Sequence, residues 1–170
     1  SLNSVLLKGT SEYSVVKMLT RFRENLIAVS ADIRKFYNTL KLAPEHWKYQ
    51  MALWRPNLDP DEEPEELVLR VHFYGIRSSG GLCMAAVKKL ITMAKEEGLF
   101  KIAQVLESAY VDDCNSSMAC IEELEEVKQK MPEFMRQHGM PIKALAWTGE
   151  EAPKELSEDG SINVAGYSWN

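Results

Sequence analysis

Ala109-Tyr110-Val111-Asp112-Asp113-Cys114-Asn115-Ser116-Ser117-Met118 is the stretch that decides how this chain folds. Val105-Leu106 and Ala109 to Val111 lead in and Cys114 to Met118 leads out, so the two acids fall at the tip of a β-hairpin. Adjacent carboxylates behind an apolar strand suit a divalent-metal site better than a core, because a hard cation takes oxygen ligands and a core excludes charge. An Asp-Asp pair alone is weak evidence, since most acids sit in solvent. A second apolar run, Leu26-Ile27-Ala28-Val29-Ser30-Ala31, ends in Asp32, 80 positions before Asp112. Two strand ends that bring acidic groups together make an oxygen pocket for Mg²⁺. Two such ions about 3.5–4 Å apart activate an attacking oxygen and stabilise a leaving one.

Outward from these runs, residues 13–25 carry Val15, Val16, Leu19 and Phe22 at the spacing of one helix face, and 26–33 form a buried strand. After a turn over 35–39, residues 48–55 and 67–74 read as two strands joined by a loop rich in proline and acid over 56–64. Ser78 and Ser79 precede Gly80-Gly81 and a long helical pattern through Leu82, Ala85, Ala86, Leu90 and Met93, which opens near Ser79 and ends at Gly98. A shorter helix over 100–107 leads to the hairpin. Residues 121–137 place Ile121, Leu124, Val127, Met131 and Phe134 at helical spacing, with a break or kink expected near Pro132 and a stop at Gly139. Residues 140–147 and 162–169 read as two final strands. The order predicts an α+β domain, an antiparallel sheet with helices packed on one face.

Composition sets the bounds. The 170 residues, 45% of them hydrophobic, make one domain able to bury about two-thirds of its unfolded surface. No run approaches the roughly 18 apolar residues of a membrane span and the start lacks a leader pattern, so an intracellular, cytoplasmic chain without a membrane partner is expected. Cys83, Cys114 and Cys120 show neither disulfide nor zinc spacing. The net charge of −5 argues against a free-standing nucleic-acid binder, because affinity for a phosphate backbone comes from Lys and Arg displacing counterions. It weighs less against a catalytic core whose basic surfaces lie on neighbouring domains. His46, His72 and His138 are scattered, and no Ser/His/Asp set or phosphate-cradling loop is present.

Six blocks share an order and spacing that resemble the palm of a reverse transcriptase, most closely the Pao/BEL class of long-terminal-repeat retrotransposons. They are Leu2-Asn3-Ser4-Val5-Leu6-Leu7-Lys8-Gly9, Arg21-Phe22-Arg23, Ser30-Ala31-Asp32-Ile33-Arg34-Lys35-Phe36-Tyr37, Phe73-Tyr74-Gly75-Ile76-Arg77-Ser78-Ser79, Tyr110-Val111-Asp112-Asp113 and Val164-Ala165-Gly166-Tyr167-Ser168-Trp169. The likeness runs over essentially residues 1–170 and implies a polymerase palm with a partial fingers hairpin, with thumb, connection and ribonuclease H regions absent. It implies Asp32, Asp112 and Asp113 as catalytic carboxylates that, with the Ile33 carbonyl, hold two Mg²⁺ or Mn²⁺ ions. Phe36, Tyr37, Tyr74 and Gly75 would line the nucleotide, with the Tyr37 ring under the incoming sugar, where it excludes a 2′-hydroxyl. Lys143 is the candidate proton donor to pyrophosphate, and Gly166, Tyr167 and Trp169 form the primer grip. The implied partners are an RNA or DNA template with primer, deoxynucleoside triphosphates and the rest of a retrotransposon polyprotein, housed in a cytoplasmic particle.

Two departures stand out. Relatives of this kind carry Ser-Ser-Pro-Phe where this chain has Ser78-Ser79-Gly80-Gly81, which predicts a looser helix start, and Ala146 stands before Trp147 where lysine is usual. A non-catalytic relic or domesticated interaction domain keeping the same core is the competing reading. A nucleotide cyclase is the third, but no purine-binding signature supports it.

Overall fold

β1, Ile27–Ile33, is the strand around which the domain is organised, because it is hydrogen-bonded on both edges. Its alternation sends Val29, Ala31 and Ile33 to one face and Ala28, Ser30 and Asp32 to the other. The computed structural model describes residues 1–9, 14–150, 162–164 and 167–169. On one side β1 pairs with β5, Asp113–Met118, and on the other with β6, Ile142–Trp147; the two-residue β4, Ala109–Tyr110, completes the order β4-β5-β1-β6. Every pairing is antiparallel.

Val29, Ala31 and Ile33 pack into the main core with three helices: α3, Ser79–Glu96; α4, Phe100–Leu106; and α5, Ile121–Gln137. Ile102, Val105, Val87 and Val127 are fully buried there. Ile102→Ala is expected to cost about 2–5 kcal/mol, through lost transfer energy and an unfilled cavity, as measured by urea unfolding.

The sheet differs from the expectation of helices on a single face. α2, Val15–Phe22, lies on the opposite side, where Met18 and Phe22 meet Ala28, Ala146 and Val164 in a second, smaller cluster. The periodicity of α2 marks an apolar stripe, but the choice of sheet face is a tertiary matter that the stripe does not encode.

Other elements depart from the sequence reading in ways that have local causes. Residues 44–49 form a 3₁₀ turn, with Pro44 in its first turn and the Gln50 N–H donating to the Trp47 carbonyl, so the following strand, β2, is only Met51–Trp54. Its partner β3 is Glu65–Val68; beyond it Val71 meets Lys41 in an isolated bridge rather than continuing the strand. α5 runs unbroken through Pro132, held by Met131, Phe134 and Met135 in the core. The final segment is not one strand but a pair, β7, Ile162–Val164, and β8, Tyr167–Trp169.

The start of α3 also differs. Neither serine caps it with its side chain in the expected way; the Ser79 hydroxyl instead donates to the Phe73 carbonyl at 3.0 Å. The two glycines are not equivalent. A methyl on Gly80 would meet nothing, whereas one on Gly81 would stand 2.6 Å from the Gly9 Cα. The segment that carries Gly9, beginning with α1, Leu2–Val5, is therefore seated on the helix start backbone to backbone. Asn3 adds to this by donating to the Gly75 carbonyl at 2.8 Å and accepting from the Arg77 N–H at 2.9 Å.

Candidate functional site

The last rung between β1 and β5 pairs Asp32 with Asp113, so two carboxylates stand as cross-strand neighbours on the α2 side of the sheet. Like charges directly opposite on a sheet are destabilising, so this rung is a cost that packing does not explain. Tyr110 pairs with Asp113, which leaves Val111 and Asp112 as a two-residue turn. Val111 has φ +60°. A β-branched residue in the left-handed region is strained, and a positive φ at the first turn position is where glycine is preferred. The Ile33 N–H donates to the Asp112 carbonyl at 2.9 Å, tying the strained turn to the end of β1. Asp32, Asp112 and Asp113 are thus gathered at one end of the sheet, each partly exposed.

Their electrostatics reflect that crowding. Burial, and then the charges of Asp112 and Asp32, push the Asp113 carboxyl up to about 6, with Lys143 pulling the other way. Asp32 is also raised, by burial first and by Asp112, against the opposing charge of Lys143. Lys143 reaches this end because of a bulge. Asp32 pairs with Ala144 while Ile33 pairs with Ile142, so Lys143 is the extra residue on β6. Its side chain is exposed.

The aromatic residues are placed unequally. Tyr37 lies in the 3₁₀ turn Phe36–Thr39, with its ring edge-on to Phe36 at 5.4 Å and to Tyr74 at 6.1 Å. Burial holds its hydroxyl proton more tightly than usual, and Cys83, Asp112 and Tyr74 add to that, which puts Tyr37 within electrostatic range of the carboxylate end. Tyr74 is 77% exposed beside Gly75, whose φ of +88° favours glycine. Phe36 is different: its side chain is 3% exposed and belongs to the core, and its carbonyl accepts from the Thr39 hydroxyl at 2.6 Å. Trp169 packs edge-on to Phe22 of α2 at 5.0 Å, which gives it a packing role at the least. Tyr167 is in β8, and Gly166 lies outside the described residues.

Asn115 was not singled out by the sequence reading. It is 1% exposed, two residues along β5 from Asp113 and on the same face, with its amide donating to the Met18 sulfur at 3.4 Å and its Oδ1 unpaired. The alternation that places Asp113 would have marked it as the polar residue beneath the acids.

As a donor set the three carboxylates fit a hard divalent cation, since they are oxygen ligands whose mutual repulsion a cation would relieve. Among the described residues, however, no group of three or more His, Cys, Asp or Glu side chains is already converged as a metal cage.

No protein-family model matches the sequence, and no curated protein matches it. Among solved structures, the fold is similar to that of a foamy viral protease-reverse transcriptase in complex with double-stranded DNA. The TM-score is 0.70 at 18% identity, over 98% of this chain and 25% of the viral one. The chain therefore has a reverse-transcriptase-like fold and spans about a quarter of the length of that protein. No helix among the described residues is long and apolar enough to cross a membrane.

Proposed function

We propose that this chain is the palm, with part of the fingers, of an RNA-directed DNA polymerase of the Pao/BEL retrotransposon type, adding deoxynucleotides to a primer 3′-hydroxyl. The observation that carries the reading is the Asp32–Asp113 rung with Asp112 in the strained turn beside it. An arrangement that stacks like charges at a sheet end is kept by function rather than by folding.

In this reading Asp32, Asp112, Asp113 and the Ile33 carbonyl would hold two Mg²⁺ or Mn²⁺ ions, which supply acidification of the primer hydroxyl and charge neutralisation at the pyrophosphate. The residues of the chain do the positioning. Tyr37 and Tyr74, stacked edge to face, floor the sugar and base of the incoming nucleotide, and Gly75 lets the backbone approach the nucleotide closely. Lys143, bulged toward the acids, is the candidate proton donor to the leaving group. Template, primer and the rest of a polyprotein are the partners, and double-stranded DNA bound to the foamy viral protein is in keeping with that.

The test is primer extension on an RNA template with Mg²⁺ or Mn²⁺, using the chain within its native polypeptide. Tyr37→Val should keep extension but lower the preference for deoxy- over ribonucleotides by about tenfold or more, the loss of one steric contact at the sugar. An unchanged preference would remove Tyr37 from the nucleotide site. Gly80-Gly81 at the start of α3 and the net charge of −5 favour one second reading, a non-catalytic relic or interaction domain on the same core; a folded protein within its native polypeptide that shows no extension would support it.

A further inference from the structure

Phe73 to Ile76 form a β-turn with Gly75 in its third position, where a φ of +88° favours glycine, and Tyr74 stands at the corner before it. The bond that closes the turn, from the Ile76 N–H to the Phe73 carbonyl, is long at 3.4 Å. Packing does not hold the turn either. Phe73 and Tyr74 are exposed, and a methyl on Gly75 would meet nothing within 4 Å.

Asn3 supplies a firmer hold. Its Nδ2 donates to the Gly75 carbonyl at 2.8 Å, shorter than the turn's own bond, and its Oδ1 accepts from the Arg77 N–H at 2.9 Å. One amide thus brackets three consecutive residues with both of its polar ends. Arg77 adds a third bond, from Nη1 to the Asn3 carbonyl at 3.4 Å. Asparagine favours caps and turns over helix interiors, and the four-residue α1 has no buried side chain, so neither propensity nor burial accounts for Asn3 there. Its partners lie 72 and 74 positions away.

We propose that Asn3 is a positioning residue for the incoming nucleotide: its amide fixes the Gly75–Arg77 backbone and, through it, the Tyr74 corner that meets Tyr37. On the polymerase reading above, on which this role rests, Tyr37, Tyr74 and Gly75 floor the nucleotide. Asn3 acts through the turn and not on the reacting atoms. With the clamp in place the turn is set before the nucleotide arrives. Without it the nucleotide must order the turn on binding, and that cost is subtracted from its affinity. The effect therefore falls on KM for the deoxynucleotide and leaves the rate of the bound complex alone.

The experiment is steady-state primer extension by the chain within its native polypeptide, with deoxynucleotide and primer–template varied in turn. Asn3→Leu, close in size but without polar ends, should raise KM for the deoxynucleotide about tenfold, equivalent to ~1.4 kcal/mol and within the worth of two hydrogen bonds. Its kcat and its KM for primer–template should stay within about twofold of the parent. Asn3→Asp keeps the acceptor for the Arg77 N–H and loses the donor to Gly75. It should therefore show the raised KM while hydrogen exchange at Arg77 stays slow, whereas Asn3→Leu loses that protection as well. Ser4→Ala, which removes only a hydroxyl turned back to the Ser1 carbonyl, should change neither. A merely structural role would lower kcat through loss of folded enzyme and leave KM unchanged. That result in Asn3→Leu, with the parent extending primers, would overturn the positioning role and leave the polymerase reading standing. No extension by the folded parent would overturn that reading, and the nucleotide role of Asn3 with it.

Discussion

Asp112→Asn should reduce primer extension by on the order of 10³-fold or more, while leaving the fold intact or firmer. The reasoning is electrostatic. Asp112 contributes repulsion to both Asp32 and Asp113, so removing its charge relieves strain when no metal is present. The same logic fixes a pH dependence for the metal-free protein. The Asp113 carboxyl titrates near 6 in the fold, above its unfolded value of about 3.9, so between those values the folded chain keeps a proton that the unfolded chain has lost. Stability from this group is full below about pH 4 and falls as pH rises through 6. After allowance for solvent screening at a partly exposed site, the loss is about 1–2 kcal/mol. In EDTA, Asp113→Asn should therefore be more stable than the parent at pH 7.5 by that amount and level with it at pH 4, by urea unfolding. If Asp112→Asn and Asp113→Asn both lost several kcal/mol at pH 7.5, the acids would be structural.

Gly81→Val should destabilise the protein by about 1–3 kcal/mol, because its Cβ would enter the Gly9 backbone, which has no flexible tip to turn aside. Gly80→Ala, one residue earlier in the same helical turn and facing open space, should stabilise by about 0.5–1 kcal/mol. The readout that separates local undocking from global damage is hydrogen exchange at Arg77, whose N–H is protected by Asn3 of the seated segment. Protection at Arg77 should collapse in Gly81→Val and persist in Gly80→Ala. Equal effects of the two substitutions would show that the close approach of Gly9 and Gly81 does not matter in solution.

The contrast between these glycines shows where sequence reading stops. A double glycine at a helix start reads as looseness, and nothing in it reveals that a backbone 72 positions away rests on the second of the pair. β1 was legible as a short apolar run and α5 from its 3.6-residue spacing, both local properties, and α5 kept its apolar stripe across Pro132. The placement of α2 on the second face was not legible, since its partners Ala28, Ala146 and Val164 come from three separate strands. At the site, the acids were found from a strand–acid pattern, and the register then set Asp32 opposite Asp113. The bulge that turns Lys143 toward them was hidden, because one extra residue in β6 changes no periodicity that a short strand can display.

Asp32 and Ile33 are consecutive on β1, and their side chains leave it in opposite directions: one partly exposed at the acid end, the other locked into the main core at 1% exposure. The same Ile33 N–H is the donor that holds the Asp112 turn. The carboxylates thus hang from a peptide anchored in the main core rather than from a pliant loop. Heating should therefore not erode their arrangement gradually; it should survive to the melting temperature and vanish with the fold in one step.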